Sequence, residues 1–244
     1  MHKRIRLNAA ALAGLLIILF FLIIAVFAPV IAPYDPKEMI ASYLPPSREH
    51  LLGTNDVGQD IFSEMVYGTR VSLYIGIFAA FIVTGVGTVL ALVSGYFGGV
   101  TDKIITAITN IAMAVPSLPL TVLLVAYLNP GKWSLIIAIS VTAWTGTARI
   151  LRSRVMQLKE LPFIKIEKTM GVHPVVILFK HILPNIKDII LTRGAMAISG
   201  AMMTEAGLSF LGLGEFGEKS WGSVLHYAFF RNSIMKKQYW WYVP

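Results

Sequence analysis

The sequence predicts an all-α membrane protein, a multi-span helical bundle carrying a helix-turn-helix loop outside the bilayer, and three observations predict it. Hydrophobic residues fill 56% of the 244 positions and charged residues only 14%. With a mean hydropathy of +0.69, that is not the composition of a soluble domain. Charge-free apolar runs recur at lengths suited to a hydrocarbon core of about 30 Å, which a helix of roughly 20 residues crosses. A long basic segment, 149–187, interrupts those runs.

The first run holds no charge from Leu7 to Tyr34, and 12–31 reads LAGLLIILFFLIIAVFAPVI. It follows the basic start His2-Lys3-Arg4-Ile5-Arg6, which resembles a signal-peptide n-region. The apolar stretch exceeds the ~7–15 residues typical of a signal peptide and has no clear small-x-small site, so residues 1–31 are taken as a retained transmembrane helix. Residues 32–70 form a linker. A second run, Val71 to Phe97, carries Gly76, Gly85, Gly87 and Gly95; small residues let helix backbones approach closely in lipid, so this span belongs among other helices. A third, Ile104 to Leu128, is interrupted by Asn110, Pro116 and Pro119, and a kink near its middle is expected because each proline removes a backbone donor. Asn129-Pro130-Gly131 makes a tight turn. The fourth, Trp133 to Ala148, is short unless Arg149 and Arg152 snorkel at its end.

The fifth run is the irregular one. Arg193 and Glu205 bracket the charge-free residues 194–204, and twelve helical steps place the two charges only ~18 Å apart along the axis. Either both sit at the ends of a thin or tilted span, or one faces a polar cavity, which makes Arg193 and Glu205 a candidate intramembrane polar site. The core thus runs over 71–214, followed by an extracytoplasmic segment, 215–244, that ends in the aromatic cluster Gln238-Tyr-Trp-Trp-Tyr-Val-Pro244. Such clusters sit at the membrane interface, often where a helix starts, and the segment is expected to lead to a last helix that is absent from these residues.

Loop charge sets the orientation. With the N-terminus inside, the inner segments hold Lys or Arg at 3, 4, 6, 103, 149, 152, 154, 159, 165, 168, 180, 187 and 193, thirteen in all; the outer segments hold the other eight, at 37, 48, 70, 132, 219, 231, 236 and 237. The basic excess favours a cytoplasmic N-terminus. The net charge of +8 is accounted for by these loops, and no nucleic-acid partner is expected.

Residue types exclude several chemistries. Zero cysteines remove disulfides, thiolate metal sites and a cysteine nucleophile. No phosphate-binding loop occurs, because the Gly131-Lys132 pair has Ala126 where the first glycine belongs. The five histidines, His2, His50, His173, His181 and His226, are scattered over different segments, so no metal cluster is expected. The spans offer Thr and Ser, which in membranes pair with backbone or neighbouring helices. No catalytic residue and no cofactor of its own is assigned to the chain.

The most informative segment runs from Arg149 to Asn185. After the basic run Arg149-Ile-Leu-Arg152-Ser-Arg154 comes Leu161-Pro162, a helical stretch from Phe163 to Met170, Gly171 as a helix stop, and a second stretch from Pro174 to His181-Ile-Leu-Pro184-Asn185. Proline opens helices and glycine closes them, so the pattern is helix, sharp turn, helix. Phe163, Ile166 and Met170 share one face, with Lys165 and Lys168 elsewhere. Composition alone leaves open whether that face binds a partner or lies on membrane lipid.

These residues resemble the cytoplasmic loop of binding-protein-dependent ABC importer permeases, whose pattern is Glu-Ala-Ala, three residues, Gly, and an ending of the His-x-Leu-Pro-Asn type. Gly171 and His181-Ile182-Leu183-Pro184-Asn185 match it; Lys165-Ile166-Glu167 stand where Glu-Ala-Ala would. Two further stretches are similar to the dipeptide, oligopeptide and nickel branch. One is His50-Leu-Leu-Gly-Thr-Asn-Asp-Val-Gly-Gln-Asp-Ile-Phe-Ser63, with Asn55 and Gln59 as departures from a Leu-Gly-Thr-Asp-x-x-Gly-Arg-Asp signature. The other is Glu205-Ala-Gly-Leu-Ser-Phe-Leu-Gly-Leu-Gly214 followed by Ser220-Trp221-Gly222. The family has a sixth helix after the aromatic cluster.

The resemblance implies a multi-pass permease subunit in the plasma (inner) membrane of a prokaryote. It forms, with a homologous permease subunit, the path for peptides or a related small solute such as nickel. It further implies two ATP-binding subunits that hold ATP and Mg, an external solute-binding protein, and alternating access driven through the loop 149–187. The implied coupling residues are Phe163, Ile166 and Met170 as buried anchors, Lys165, Glu167 and Lys168 as the rim, Gly171 as the turn, and His181 and Pro184 in the closing motif. Two rivals remain: a secondary transporter using Arg193 or Glu205 with an ion gradient, and a non-transporting membrane scaffold.

Overall fold

The computed structural model describes residues 9–244; the basic start at His2, Lys3, Arg4 and Arg6, and the orientation argued from it, lies outside the described residues. Among the described residues the chain is helical, with one isolated bridge between Thr54 and Asp60 and no strand. In chain order the helices are α1 (Ala9–Val26), α2 (Ala28–Ile31), α3 (Ile61–Phe97), α4 (Gly99–Ala114), α5 (Ser117–Leu128), α6 (Lys132–Lys159), α7 (Pro162–Thr169), α8 (Pro174–Val176), α9 (Leu183–Phe210), α10 (Trp221–Phe230) and α11 (Tyr239–Tyr242), with a π-helical segment at Ile177–Ile182.

Three of these, α1, α3 and α6, are long and apolar enough to cross a membrane, and α4 with α5 makes a fourth if the pair is one broken span. The break has the expected cause. The two helices bend by 87° at Val115 and Pro116, where Pro116 N-caps α5 with extended backbone. Pro119 costs nothing further, because it falls in the first turn, where N–H groups have no intrahelical partner. Helix α3 starts earlier than the apolar run. Its N-terminus is fixed by Asp60, whose Oδ2 accepts the Ser63 N–H at 2.8 Å, so Ile61 to Arg70, assigned to the linker by their charges, are helical. The fourth span is also longer than its apolar run, ending at Lys159 rather than Ala148. Helix α9 has 28 residues, ample length, but Lys187, Asp188, Arg193 and Glu205 keep it below the apolarity of the others.

Contacts divide the chain into two compact units, one made of residues up to Tyr74 with Ala206–Pro244, the other of Ile75–Glu205. In the second unit, α6 packs against α4, α5, α7 and the π segment. A Cβ at Gly87 would come within 2.8 Å of the Thr147 side chain, and one at Gly95 within 2.8 Å of Val155. Glycine is therefore what lets α3 lie against α6, as small residues do at membrane helix interfaces. Gly85 is different: nothing lies within 4 Å of its Cβ position, and it opens onto a groove shared with Phe81, Phe179 and Ile198.

Arg149 and Arg152, at the end of the fourth apolar run, tie α6 to α4. Arg152 grips Asp102 through two bonds of 2.6 Å, and Arg149 donates to Asn110 at 2.9 Å. The planar guanidinium fork suits such bidentate contacts.

The first unit is organised around Ile61, Val224, Ala228 and Trp241, all buried, with Tyr43, Leu52 and Met65 packed on them. Ser220 opens α10 with a capping box shared with Ser223, and Trp221 Nε1 donates to Thr69 Oγ1 at 3.2 Å.

Candidate functional site

The elbow between α6 and α9 is built from a few local rules. Pro162 stands in the first turn of α7, where its missing N–H is harmless. Gly171 ends the helix with φ +77°, a left-handed conformation that favours glycine. Two backbone bonds close the end, Val172 N–H to the Glu167 carbonyl at 3.1 Å and Gly171 N–H to the Lys168 carbonyl at 3.2 Å, which is the Schellman arrangement. His173 then caps α8, its Nδ1 accepting the Val175 N–H at 3.3 Å.

The second arm differs from the expected short helix ending at Asn185: from Pro174 to Phe210 the chain stays helical without interruption. Pro184 would clash with the preceding turn of a regular α-helix and leaves a carbonyl without its donor. The π segment Ile177–Ile182 widens the turn just before it, with Leu183 N–H reaching the Leu178 carbonyl. Asn185 Nδ2 supplies a side-chain donor to the His181 carbonyl at 2.6 Å. The His-x-Leu-Pro-Asn stretch is thus a way of carrying a helix through a proline.

One side of the elbow is anchored. Ile164 of α7 is 2% exposed and packs with Leu92 and Tyr96 of α3, Leu151, Val155 and Leu158 of α6, and Ile177, Ile182 and Ile186 of the second arm. The opposite side is open: Phe163, Ile166 and Met170 are 42%, 58% and 75% exposed. The three residues assigned to one apolar face do share it, and that face is mostly uncovered, the His181 ring touching only its Phe163 end.

Polar groups frame the elbow. His181 Nε2 lies 2.9 Å from Glu167 Oε1, joining the two arms, and Phe163 stands edge-on to the His181 ring. Lys165 turns back to Glu160 at 2.8 Å, and its ammonium holds the Glu160 carboxyl below the ordinary glutamate value. Lys168 and Pro184 are exposed. The structure therefore brings Glu167 and His181 together, which spacing alone did not show, and leaves Lys168 pointing outward.

Arg193 and Glu205 are not brought together. They lie on the one helix α9, about 18 Å apart along its axis. Glu205 is fully buried. Arg193 is half-buried; its guanidinium rests beside Gly146 of α6, 3.4 Å from where a Cβ would stand. Its polar contact is the Met196 sulfur at 4.0 Å, and Nε is closed off without a partner.

A second polar centre, in the other unit, was not foreseen. Lys219 Nζ sits 2.6 Å from Glu64 Oε1 and 2.9 Å from Gln59 Oε1, while Asn55 Nδ2 donates to both acceptors. Beside it His50 Nδ1 lies 3.0 Å from Asp60 Oδ1. Asn55, Gln59 and Asp60 were visible as a motif; Lys219 was not, because nothing in the sequence links it to residues some 160 positions away.

A family described as "Binding-protein-dependent transport system inner membrane component" matches residues 87–234, and "N-terminal TM domain of oligopeptide transport permease C" matches residues 1–46. The chain is 39% identical over 224 residues to the oligopeptide transport system permease protein OppC of Bacillus subtilis, covering 91% of this chain and 73% of that one. It is 38% identical over 215 residues to the dipeptide permease DppC of Haemophilus influenzae, covering 85% and 73%. With the glutathione permease GsiD of Pectobacterium atrosepticum the identity is 35%, over 93% and 76%. The fold is similar to that of a chain of the inward-facing MetNI methionine ABC transporter, with a TM-score of 0.54 at 19% identity over 69% of this chain and 81% of the other. On the family match and these identities, the chain belongs to the binding-protein-dependent transport system inner membrane components, the permease subunits of ABC importers.

Proposed function

We propose that this permease subunit carries peptides across the inner membrane as half of a pathway completed by a homologous permease. In this reading two separate ATP-binding subunits bind ATP and Mg and push on the elbow, an extracytoplasmic solute-binding protein delivers the substrate, the N-terminus is cytoplasmic, and the chain holds no cofactor. The names of its relatives, which are oligopeptide, dipeptide and glutathione permeases, support the substrate class.

One observation carries the coupling role: α7 is anchored through Ile164 and bare on the opposite face. A partner groove that receives Phe163, Ile166 and Met170 gains apolar burial of about 25 cal/mol per Å². The three side chains are spaced as helix-in-groove anchors are. Force applied there passes two ways, through Ile164 into the buried cluster and around the Schellman turn into the second arm. That arm is continuous with α9, so a displacement of the elbow turns a membrane helix as one rigid body. The Glu167–His181 bond keeps the two arms from splaying.

The test is reconstitution of the complete transporter in liposomes. Phe163→Ala/Ile166→Ala is expected to lower ATP-dependent peptide uptake at least tenfold and to weaken retention of the ATP-binding subunits. Uptake that persists without those subunits, driven by a proton or sodium gradient, would overturn the reading.

A further inference from the structure

At one level of the Ile75–Glu205 unit, three helices meet around polar groups left unsatisfied. Gly87 of α3 lies against Thr147 of α6, Gly146 lies against the Arg193 guanidinium of α9, and the Cβ position of Gly194 is 3.7 Å from Thr84 Oγ1 of α3. These pairs are successive or near neighbours on their helices, so Thr84, Thr147 and Arg193 sit at a common height. The hydroxyls of Thr84 and Thr147 and the Nε of Arg193 are each buried without a hydrogen-bond partner.

The contrast with cations that do form ion pairs is chemical. Arg152 is neutralised by Asp102, Arg231 by Asp56 and Lys219 by Glu64. Arg193 has only a thioether. Apolar surroundings make an unpaired guanidinium and idle hydroxyls costly, and all three groups are donors. The acceptor of opposite charge that suits such donors is a carboxylate, whose two oxygens can take a guanidinium fork and hydroxyl donors at once. Gly146, which has no side chain, lets the guanidinium lie directly against α6, and Arg193 is only half-buried, which leaves it reachable from its remaining open side.

We propose that Arg193, assisted by the Thr84 and Thr147 hydroxyls, forms a binding station for the carboxylate of the transported molecule, its free C-terminal or acidic side-chain group, part way along the path. The proposal rests on the peptide-importer reading and adds the group recognised and the residues that recognise it. An acceptor contributed by the neighbouring permease is the other source of the same chemistry.

The complete transporter, reconstituted with its ATP-binding subunits and saturating solute-binding protein, separates them. Uptake of a neutral-side-chain peptide with a free C-terminus is compared with its C-terminal amide for wild type, Arg193→Gln, Arg193→Lys and Thr84→Val/Thr147→Val. We expect Arg193→Gln to lower the ratio of free-acid to amide uptake at least tenfold, Arg193→Lys to restore part of it, and the threonine pair to lower it severalfold, all with assembly intact. An unchanged ratio, or loss of assembly in Arg193→Gln with recovery on removing an acidic residue of the partner permease, overturns the station. If wild type imports neither peptide, the peptide-importer reading itself fails, which is a distinct outcome.

Discussion

Lys219 meets Glu64 at 2.6 Å with side chains only 14% and 1% exposed, and the pair is worth most to the fold as a pair. Removing one partner of a buried ion pair strands the other charge and costs about 3–5 kcal/mol, whereas replacing both costs far less. Lys219→Met is therefore expected to lower the thermal unfolding midpoint of the detergent-purified protein sharply. Lys219→Met/Glu64→Gln is expected to recover most of the loss, because the neutral amide keeps its contact with Asn55. A single variant as stable as wild type would show that the network carries no load. The asymmetry between what the sequence exposes and what it hides is plain here. Asn55 and Gln59 stand out as departures within a motif, and their side chains do converge, but a lysine brought in from the far end of the chain has no local signature. The same holds for Asp102 and Arg152, 50 positions apart.

At the scale of elements, the elbow was largely legible because its boundaries are set by local chemistry: Pro162 opens α7, and Gly171 closes it through a left-handed residue. A residue other than glycine at φ +77° costs roughly 1–2 kcal/mol, less for asparagine. Gly171→Ala is accordingly expected to raise hydrogen exchange at the α7 amides about tenfold, and Gly171→Asn to do so only slightly; equal protection in all three forms would remove the Schellman turn as the element's anchor. Ile164→Ala tests the other attachment, with an expected loss of about 2–5 kcal/mol of local stability for a buried isoleucine truncated in a packed cluster. The second arm was not legible. Proline at 184 reads as a stop, and only the π segment before it, with Asn185 donating to the His181 carbonyl, lets the helix run on into α9. The helix of the fourth run outlasts its apolar stretch for a related reason: Arg152 is neutralised by Asp102 and Arg149 is hydrogen-bonded to Asn110, both of α4, so the helix continues past them.

For the whole molecule, the positive-inside asymmetry is the argument for which side each loop faces, with thirteen Lys and Arg in the segments assigned inside against eight outside. The charges nearest the N-terminus contribute three of the thirteen, Lys103 one and the segment holding the elbow nine, so the argument for the elbow's side and the argument for the ATP-binding partner are coupled. The absence of cysteine makes the coupling testable without a background to subtract. Ser153→Cys lies on an exposed part of α6 next to the elbow, and Phe216→Cys at a site 91% exposed in the segment assigned outside. In intact cells a membrane-impermeant maleimide is expected to label Phe216→Cys and to leave Ser153→Cys untouched until the membrane is opened, whichever other subunits are present. Ile166→Cys adds the partner to the same measurement. In opened membranes it is expected to react readily in the permease alone, where that side chain is 58% exposed, and to be protected when the ATP-binding subunits are bound. Labelling of Ser153→Cys from outside would invert the topology and with it the direction of the push; reactivity at position 166 indifferent to those subunits would leave the membrane assignment standing and detach the elbow from the ATP cycle.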